Sequence, residues 1–157
     1  MANSDGTYDK IHIYSGITEN NPLGRKVSTG DISSPIYMRI KYDDEQVSAI
    51  KLGVRCDYYY HTIGDTTICA KYRDGVGVIH PSGGTSTYWK FCEDHGFNSG
   101  DEALLNGDWQ DKLVITDKLT DSANHFFWAK VSSNSKMSAS FDTKTVISVE
   151  AAIELNS

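Results

Sequence analysis

The stretch IKLGVRCD, residues 50–57, constrains the fold more than any other part of the chain. Ile50, Leu52, Val54 and Cys56 alternate with charged residues and a glycine, and a period of two places all four on one face of a β-strand. Cys56 therefore belongs to a predicted core face. Alternation or short apolar runs predict further strands at 10–14, 35–41, 66–73, 87–93, 112–116, 125–132 and 145–155.

These strands and the turns between them predict an all-β fold. About eight strands at this spacing fit an antiparallel two-sheet sandwich, immunoglobulin-like or jelly-roll in type. We expect a polar N-terminal arm at 1–8 and one sandwich domain at 9–157, because the length suits one core and no linker divides it. EALLNG predicts at most one helical turn, ended by Gly107, and 132–144 is predicted to be a long loop.

The last predicted strand, 145–155, is the longest. Its apolar residues recur at every second position and are predicted to share one face. They are Ile147, Val149, Ala151, Ile153 and Leu155.

Composition excludes several classes of protein. A formal charge of −6, with no basic cluster longer than Arg25–Lys26, argues against nucleic-acid binding, which requires concentrated positive charge. The chain contains no apolar run long enough to span a membrane and no recognisable signal peptide, so we expect neither membrane insertion nor export.

Three cysteines, Cys56, Cys69 and Cys92, are an awkward count for a secreted disulfide scaffold and favour reduced thiols in a cytoplasmic setting.

The stretch KFCEDHGFNSG, residues 90–100, is the strongest candidate for a metal site. Cys92 and His95 have the spacing of one zinc-ligand pair, but a second pair would have to come from His61, Cys69 or His80 on separate elements. Acidic turns at 43–45, 64–65 and 100–102 lack the spacing of a calcium loop. We therefore expect no metal and no cofactor here. The favoured interpretation is a core-facing strand that ends near Phe91, followed by an exposed turn.

No motif anchors an enzymatic activity. A nucleophilic serine usually lies in a signature such as G-x-S-x-G, which is missing from the sequence. Paired carboxylates for glycoside hydrolysis depend on a separation in space that the sequence does not give. We predict that the protein is not an enzyme.

The aromatic residues indicate a binding surface. Tyr58, Tyr59 and Tyr60 are consecutive, so at least one of them must point away from the core. Together with Trp109, which lies in a predicted loop, they are candidates for a protein interface or for stacking on a glycan. The alternative is that they pack against a neighbouring loop. Trp89 and Trp128 lie within predicted strands and are expected in the core.

The order of several phrases carries a family resemblance. The chain opens with YDKIHIYSG, continues with IKLGVRCDYYYHTIGDTTI, and closes with LVITDKLTDSANHFFWAKVSSNS and DTKTVISVEAAIEL. From about residue 8 to 155 it resembles small immunoglobulin-like β-sandwich proteins of tailed-bacteriophage virions, found among decoration, tail and fibre components. The similar closing strands of those proteins carry an aromatic residue, Trp, Ala, a basic residue and Val, then a loop and a Val-rich final strand.

The resemblance implies a virion protein without enzymatic activity. Its partners would be capsid or tail proteins, with assembly as a homo-oligomer, and it would be made in the host cytoplasm. The resemblance transfers no functional residue to a position of this sequence. A second hypothesis is a carbohydrate-binding sandwich that recognises a host glycan through Tyr58–Tyr60 and Trp109.

Overall fold

A computed structural model describes residues 10–27, 47–81, 83–132 and 145–157. These ranges contain eleven strands, one α-helix and a 3₁₀ helix, Gly84–Tyr88. The predicted arm at 1–8, the strand at 35–41 and nearly all of the loop at 132–144 lie outside the described residues. The strands are β1 (Ile11–Ser15), β2 (Arg25–Lys26), β3 (Val47–Cys56), β4 (Tyr60–Thr62), β5 (Thr66–Arg73), β6 (Ile79–His80), β7 (Trp89–Glu93), β8 (Lys112–Ile115), β9 (His125–Ser132), β10 (Thr145–Glu150) and β11 (Ile153–Leu155).

The protein is an all-β antiparallel sandwich, as predicted. One sheet has five strands in the order β2-β1-β3-β9-β7. The other contains β10, β5 and β6 in that order, with β8 also paired to β5, and a two-stranded ribbon joins β4 to β11. The described ranges hold more strands than the predicted eight because β2, β4, β6 and β11 are too short to give a periodic signal of their own.

The main core lies between the two larger sheets. The alternating residues of β3 predicted to face inward do so, with Leu52, Val54 and Cys56 at most 1% exposed. Phe91 of β7 and Phe127 of β9 are fully buried, and their ring centroids lie 6.3 Å apart. Burying a side chain of this size contributes about 1.5 to 3 kcal/mol. The opposite sheet contributes Ile68, Leu113, Ile115 and Val149 to the same cluster.

The predicted strand at 145–155 is wrong as a single element. The chain changes sheets within it: β10 ends at Glu150 and pairs with β5, whereas β11 begins at Ile153 and pairs with β4. Four of the five residues predicted to share a face, Ile147, Val149, Ala151 and Ile153, do lie in or against the main core, whereas Leu155 is 62% exposed. Alternation continues across the break, so the sequence carries no signal that the strand changes partners.

The helix α1, Gly100–Asn106, is longer than the single turn predicted for EALLNG. Ser99 is its N-cap and accepts a hydrogen bond from the backbone N–H of Glu102 at 3.1 Å. The Glu102 carboxylate in turn accepts from the backbone N–H of Asn98 at 2.6 Å. The helix ends at Gly107, as predicted. At seven residues it is too short to cross a membrane, and none of the described helices is long and apolar enough to do so.

Candidate interaction site

The stretch at 90–100 builds a second, smaller core on the outer face of the five-stranded sheet. Cys92 is fully buried there, against Ala103 of α1 and Trp128 of β9. Trp128 is 5% exposed, so it is buried as expected, but in this outer cluster and not between the sheets. Ala49, Phe97 and Trp109 pack around the same cluster.

Asp94 organises the loop that follows β7. Its Oδ1 accepts hydrogen bonds from the Trp128 indole Nε1–H at 3.1 Å and from the backbone N–H groups of Gly96 at 3.1 Å and Phe97 at 3.2 Å. Its Oδ2 lies 3.5 Å from the Lys51 ammonium. Burial raises the pKa of Asp94, but these hydrogen bonds and the lysine charge outweigh burial, and the pKa lies below its ordinary value. The carboxylate therefore fixes the loop to the sheet.

The metal interpretation of this stretch receives no geometric support. His95 is exposed and packs edge-on against Phe97, with ring centroids 6.0 Å apart. Burial, with a smaller contribution from the Asp94 charge, raises the pKa of the Cys92 thiol to about 11, so the thiolate that a metal needs is disfavoured. Across the described ranges, no three His, Cys, Asp or Glu side chains are grouped to hold a metal ion.

Each of the other four histidines bonds a carboxylate. The bonded atoms lie 2.7 to 2.9 Å apart. Three of these pairs join residues more than 30 positions apart and one joins the two arms of a hairpin, so all four connect separate segments of the fold. The pairs are His12–Asp57, His61–Glu154, His80–Asp74 and His125–Glu93.

All three cysteine thiols are free and buried. Burial is the largest cause of the raised pKa in each, and it brings the pKa of Cys56 to about 11. A buried thiol with a raised pKa packs as a small apolar side chain. The cysteines are therefore part of the packing of the sandwich.

Tyr58 and Tyr59 form the exposed aromatic feature. They follow the end of β3 and are 76% and 72% exposed, with ring centroids 6.3 Å apart and planes tilted by 51°. Large aromatic side chains are seldom left this open on a monomer unless they contact something. We call residues 57–60 the tyrosine turn.

The backbone of the tyrosine turn is held from several sides. Tyr59 has φ 78°, a left-handed conformation that costs energy for any residue with a bulky side chain. Its N–H donates to the Asp121 carboxylate at 2.7 Å, and its carbonyl accepts from the Asn156 N–H at 2.7 Å. The N–H of Tyr60 donates to the Asp57 carbonyl at 3.1 Å. The two exposed rings are therefore presented by a fixed loop.

The structure separates the four aromatic residues proposed as one contact. Tyr60 turns inward and packs against the main core, with the Lys10 ammonium 5.7 Å from its ring centroid. Trp109 is half-buried against the second core, where its Nε1–H donates to the Ala103 carbonyl at 3.1 Å. The Lys130 ammonium lies 4.9 Å from the Trp109 ring. Only Tyr58 and Tyr59 form one exposed surface.

Sequence reasoning did not find Asp121 and Asn156, the two residues that hold Tyr59. Asp121 lies 62 positions away in the chain, and neither residue belongs to a motif. Comparison of the chain with protein-family models, with curated proteins and with solved structures found no match. The fold and the site define an antiparallel β-sandwich that displays two exposed tyrosines on a hydrogen-bonded turn.

Proposed function

We propose that the chain is a non-enzymatic structural or accessory protein of a tailed-bacteriophage virion, as a capsid decoration, tail or fibre component. It binds neighbouring capsid or tail proteins through its surface. It is made in the host cytoplasm and resides in the particle. The strand phrases that resemble such proteins suggest the setting, and the tyrosine turn is the observation that supports an interface.

The tyrosine turn suits a protein interface for a physical reason. Association costs conformational entropy for every flexible side chain that becomes ordered. Tyr58 and Tyr59 have few rotatable bonds, and the hydrogen bonds to Asp121 and Asn156 already fix the backbone that carries them. Large aromatic anchors of this kind supply much of the binding energy at protein interfaces.

The remaining reactive side chains have structural roles that fit this proposal. Four histidines bond carboxylates of other segments, and three thiols are buried with raised pKa values. Asp94, the most connected carboxylate of the stretch at 90–100, fastens a loop to the outer face of a sheet. These groups stabilise a scaffold that carries Tyr58 and Tyr59 as exposed side chains.

Quantitative mass spectrometry of gradient-purified phage particles from the source tests the proposal. Copy numbers comparable to the major capsid protein are expected for a decoration protein, and a few copies per particle for a tail or fibre component. Particles that contain no copies would overturn it.

A second candidate function, glycan recognition, is favoured by the polar surroundings of the same tyrosines. Tyrosine rings stack on sugar rings, and beside the turn lie the Asp121 carboxylate, one oxygen of which bonds Tyr59, and the Asn156 side-chain amide, the oxygen of which bonds His61. On a glycan array we expect a signal that Tyr58→Ala removes and that Trp109→Phe leaves in place, because Trp109 packs elsewhere. A silent array for the wild-type protein would contradict glycan recognition and would leave the virion proposal standing.

A further inference from the structure

The C-terminal strand β11 presents an open sheet edge. In the ribbon with β4, His61 lies opposite Glu154, and the flanking bonds run from the Ile63 N–H to the Ala152 carbonyl and from the Asn156 N–H to the Tyr59 carbonyl. Successive residues of a strand direct their backbone groups to opposite sides, so Ile153 and Leu155 point theirs away from β4. No strand among the described residues pairs with that side.

Side chains hold this edge in extended form. The His61 ring lies between two oxygen acceptors of β11 and its continuation: Nε2 is 2.8 Å from the Glu154 carboxylate and Nδ1 is 2.6 Å from the Asn156 side-chain oxygen. Ile153 packs against the main core. The edge is therefore preorganised through residue 156, and a strand added to it would pay little of the usual cost of ordering.

Three exposed apolar side chains lie at one end of the same ribbon. Leu155, 62% exposed, pairs with Tyr60, the last residue of the tyrosine turn. At their exposed fractions, Tyr58, Tyr59 and Leu155 offer roughly 400 Å² per copy. Two copies would bury at most about 800 Å² from these residues, and the paired backbone edges would bring the interface towards the lower limit of about 1,000 Å² for a specific interface.

We infer that β11 pairs with β11 of a second copy of this chain, antiparallel across a two-fold axis at Leu155. In this register Leu155 of one copy lies opposite Leu155 of the other, and Glu154 lies opposite Asn156. An axis at Glu154 would set two carboxylates opposite each other, which is destabilising. An axis at Ile153 would place Leu155 of one copy opposite Ala151 of the other, and Ala151 is buried.

The same register brings the two tyrosine turns together. Strands in a sheet are spaced by about 4.8 Å, so the β4 backbone at Tyr59 lies roughly 7 Å from the axis in each copy. The dimer therefore joins two ribbons into a four-stranded sheet in the order β4-β11-β11-β4, with a tyrosine turn on each outer strand, beside the two-fold axis. The dimer uses the same tyrosine turn as the proposed virion interface, so the two associations compete for it, and dimerisation is therefore measured on the purified protein without particles.

Analytical ultracentrifugation over a concentration series tests the dimer with the variant Leu155→Pro. Proline removes an N–H that points away from β4, so the ribbon keeps its own hydrogen bonds and the open edge loses a donor. The wild type should rise with concentration from the 17.4 kDa monomer towards twice that mass. Leu155→Pro should weaken dimerisation at least tenfold, with an unchanged near-ultraviolet circular dichroism spectrum as evidence of folding.

The matched control is Val76→Lys, which changes an 85% exposed apolar residue at the turn between β5 and β6, away from the ribbon. It should dimerise like the wild type. Hydrogen exchange should show protection of the Leu155 amide that appears only at dimer concentrations. A wild type that stays monomeric to millimolar concentration, or a Leu155→Pro protein that dimerises equally well, overturns the inference. Failure of the chain to bind particles would not affect it.

Discussion

Replacing Asp94 by alanine should destabilise the protein clearly, whereas the same replacement of the exposed Asp108 should not. The Trp128 indole N–H would lose its acceptor, and Trp128 is only 5% exposed, so the unsatisfied donor costs about 1 to 3 kcal/mol. The backbone N–H groups of Gly96 and Phe97 would each lose a weaker hydrogen bond to the carboxylate. Loss of the ion pair with the half-exposed Lys51 would change the stability little.

Loss of the carboxylate also removes its own desolvation cost, so the expected net loss is about 2 to 3 kcal/mol. For a chain of this length that corresponds to a fall in Tm of roughly 8 °C. Equilibrium unfolding in urea, followed by tryptophan fluorescence, measures the change directly. Asp108→Ala is the control, because Asp108 is exposed and its carboxylate accepts one weak hydrogen bond, from the Gln110 side chain at 3.3 Å; the substitution should change stability by less than about 0.5 kcal/mol. Equal effects of the two substitutions would refute Asp94 as the residue that holds the loop.

Three further predictions concern the pH dependence of stability, Gly107 and the three thiols. The pKa of Asp94 is lowered on folding, so its ionisation stabilises the protein above the unfolded pKa of about 4, and this stabilisation is lost as the pH falls through the folded pKa. Asp94→Asn should therefore flatten the acid side of the profile of unfolding free energy against pH. An unchanged profile would contradict this reasoning. Gly107→Ala should lower the free energy of unfolding in urea by at least about 2 kcal/mol, because a Cβ there would lie 2.6 Å from the Ala103 carbonyl oxygen and 2.8 Å from the Cys92 sulfur. Gly75→Ala is the control and should be nearly neutral, because open space surrounds Gly75. The three thiols should react with a thiol-specific disulfide reagent only after unfolding, and rapid labelling of the native protein would refute their burial.

Local patterns predicted the long strands and missed the points where strands change partners. Thr66–Arg73 and His125–Ser132 form strands with the predicted bounds, because alternation or apolar content and polar turns coincide there. The division of 145–155 into β10 and β11 was not predictable, because pairing depends on residues distant in the chain. The helix α1 was underestimated because its Ser99 cap is a stronger signal than its short apolar content.

The candidate site was predictable in the same partial way. Three consecutive tyrosines had to expose at least one ring, and the structure exposes two. The backbone of Tyr59 is held by Asp121 and Asn156, whose contacts are long-range and leave no trace in spacing or periodicity. Likewise, Cys92 faces a second core because helix α1 covers the outer face of the sheet, an arrangement that alternation alone does not reveal.

The measurement that tests the central claim most directly is cosedimentation of purified protein with phage particles that lack it. Wild-type protein and Val76→Lys should bind to the same number of copies per particle, counted by quantitative mass spectrometry. The double variant Tyr58→Ser, Tyr59→Asn should lose at least tenfold in affinity while it remains folded, because asparagine tolerates the left-handed backbone at position 59. Undiminished binding of the double variant, or no binding of the wild type, would contradict the assignment of the tyrosine turn as the interface of a virion protein.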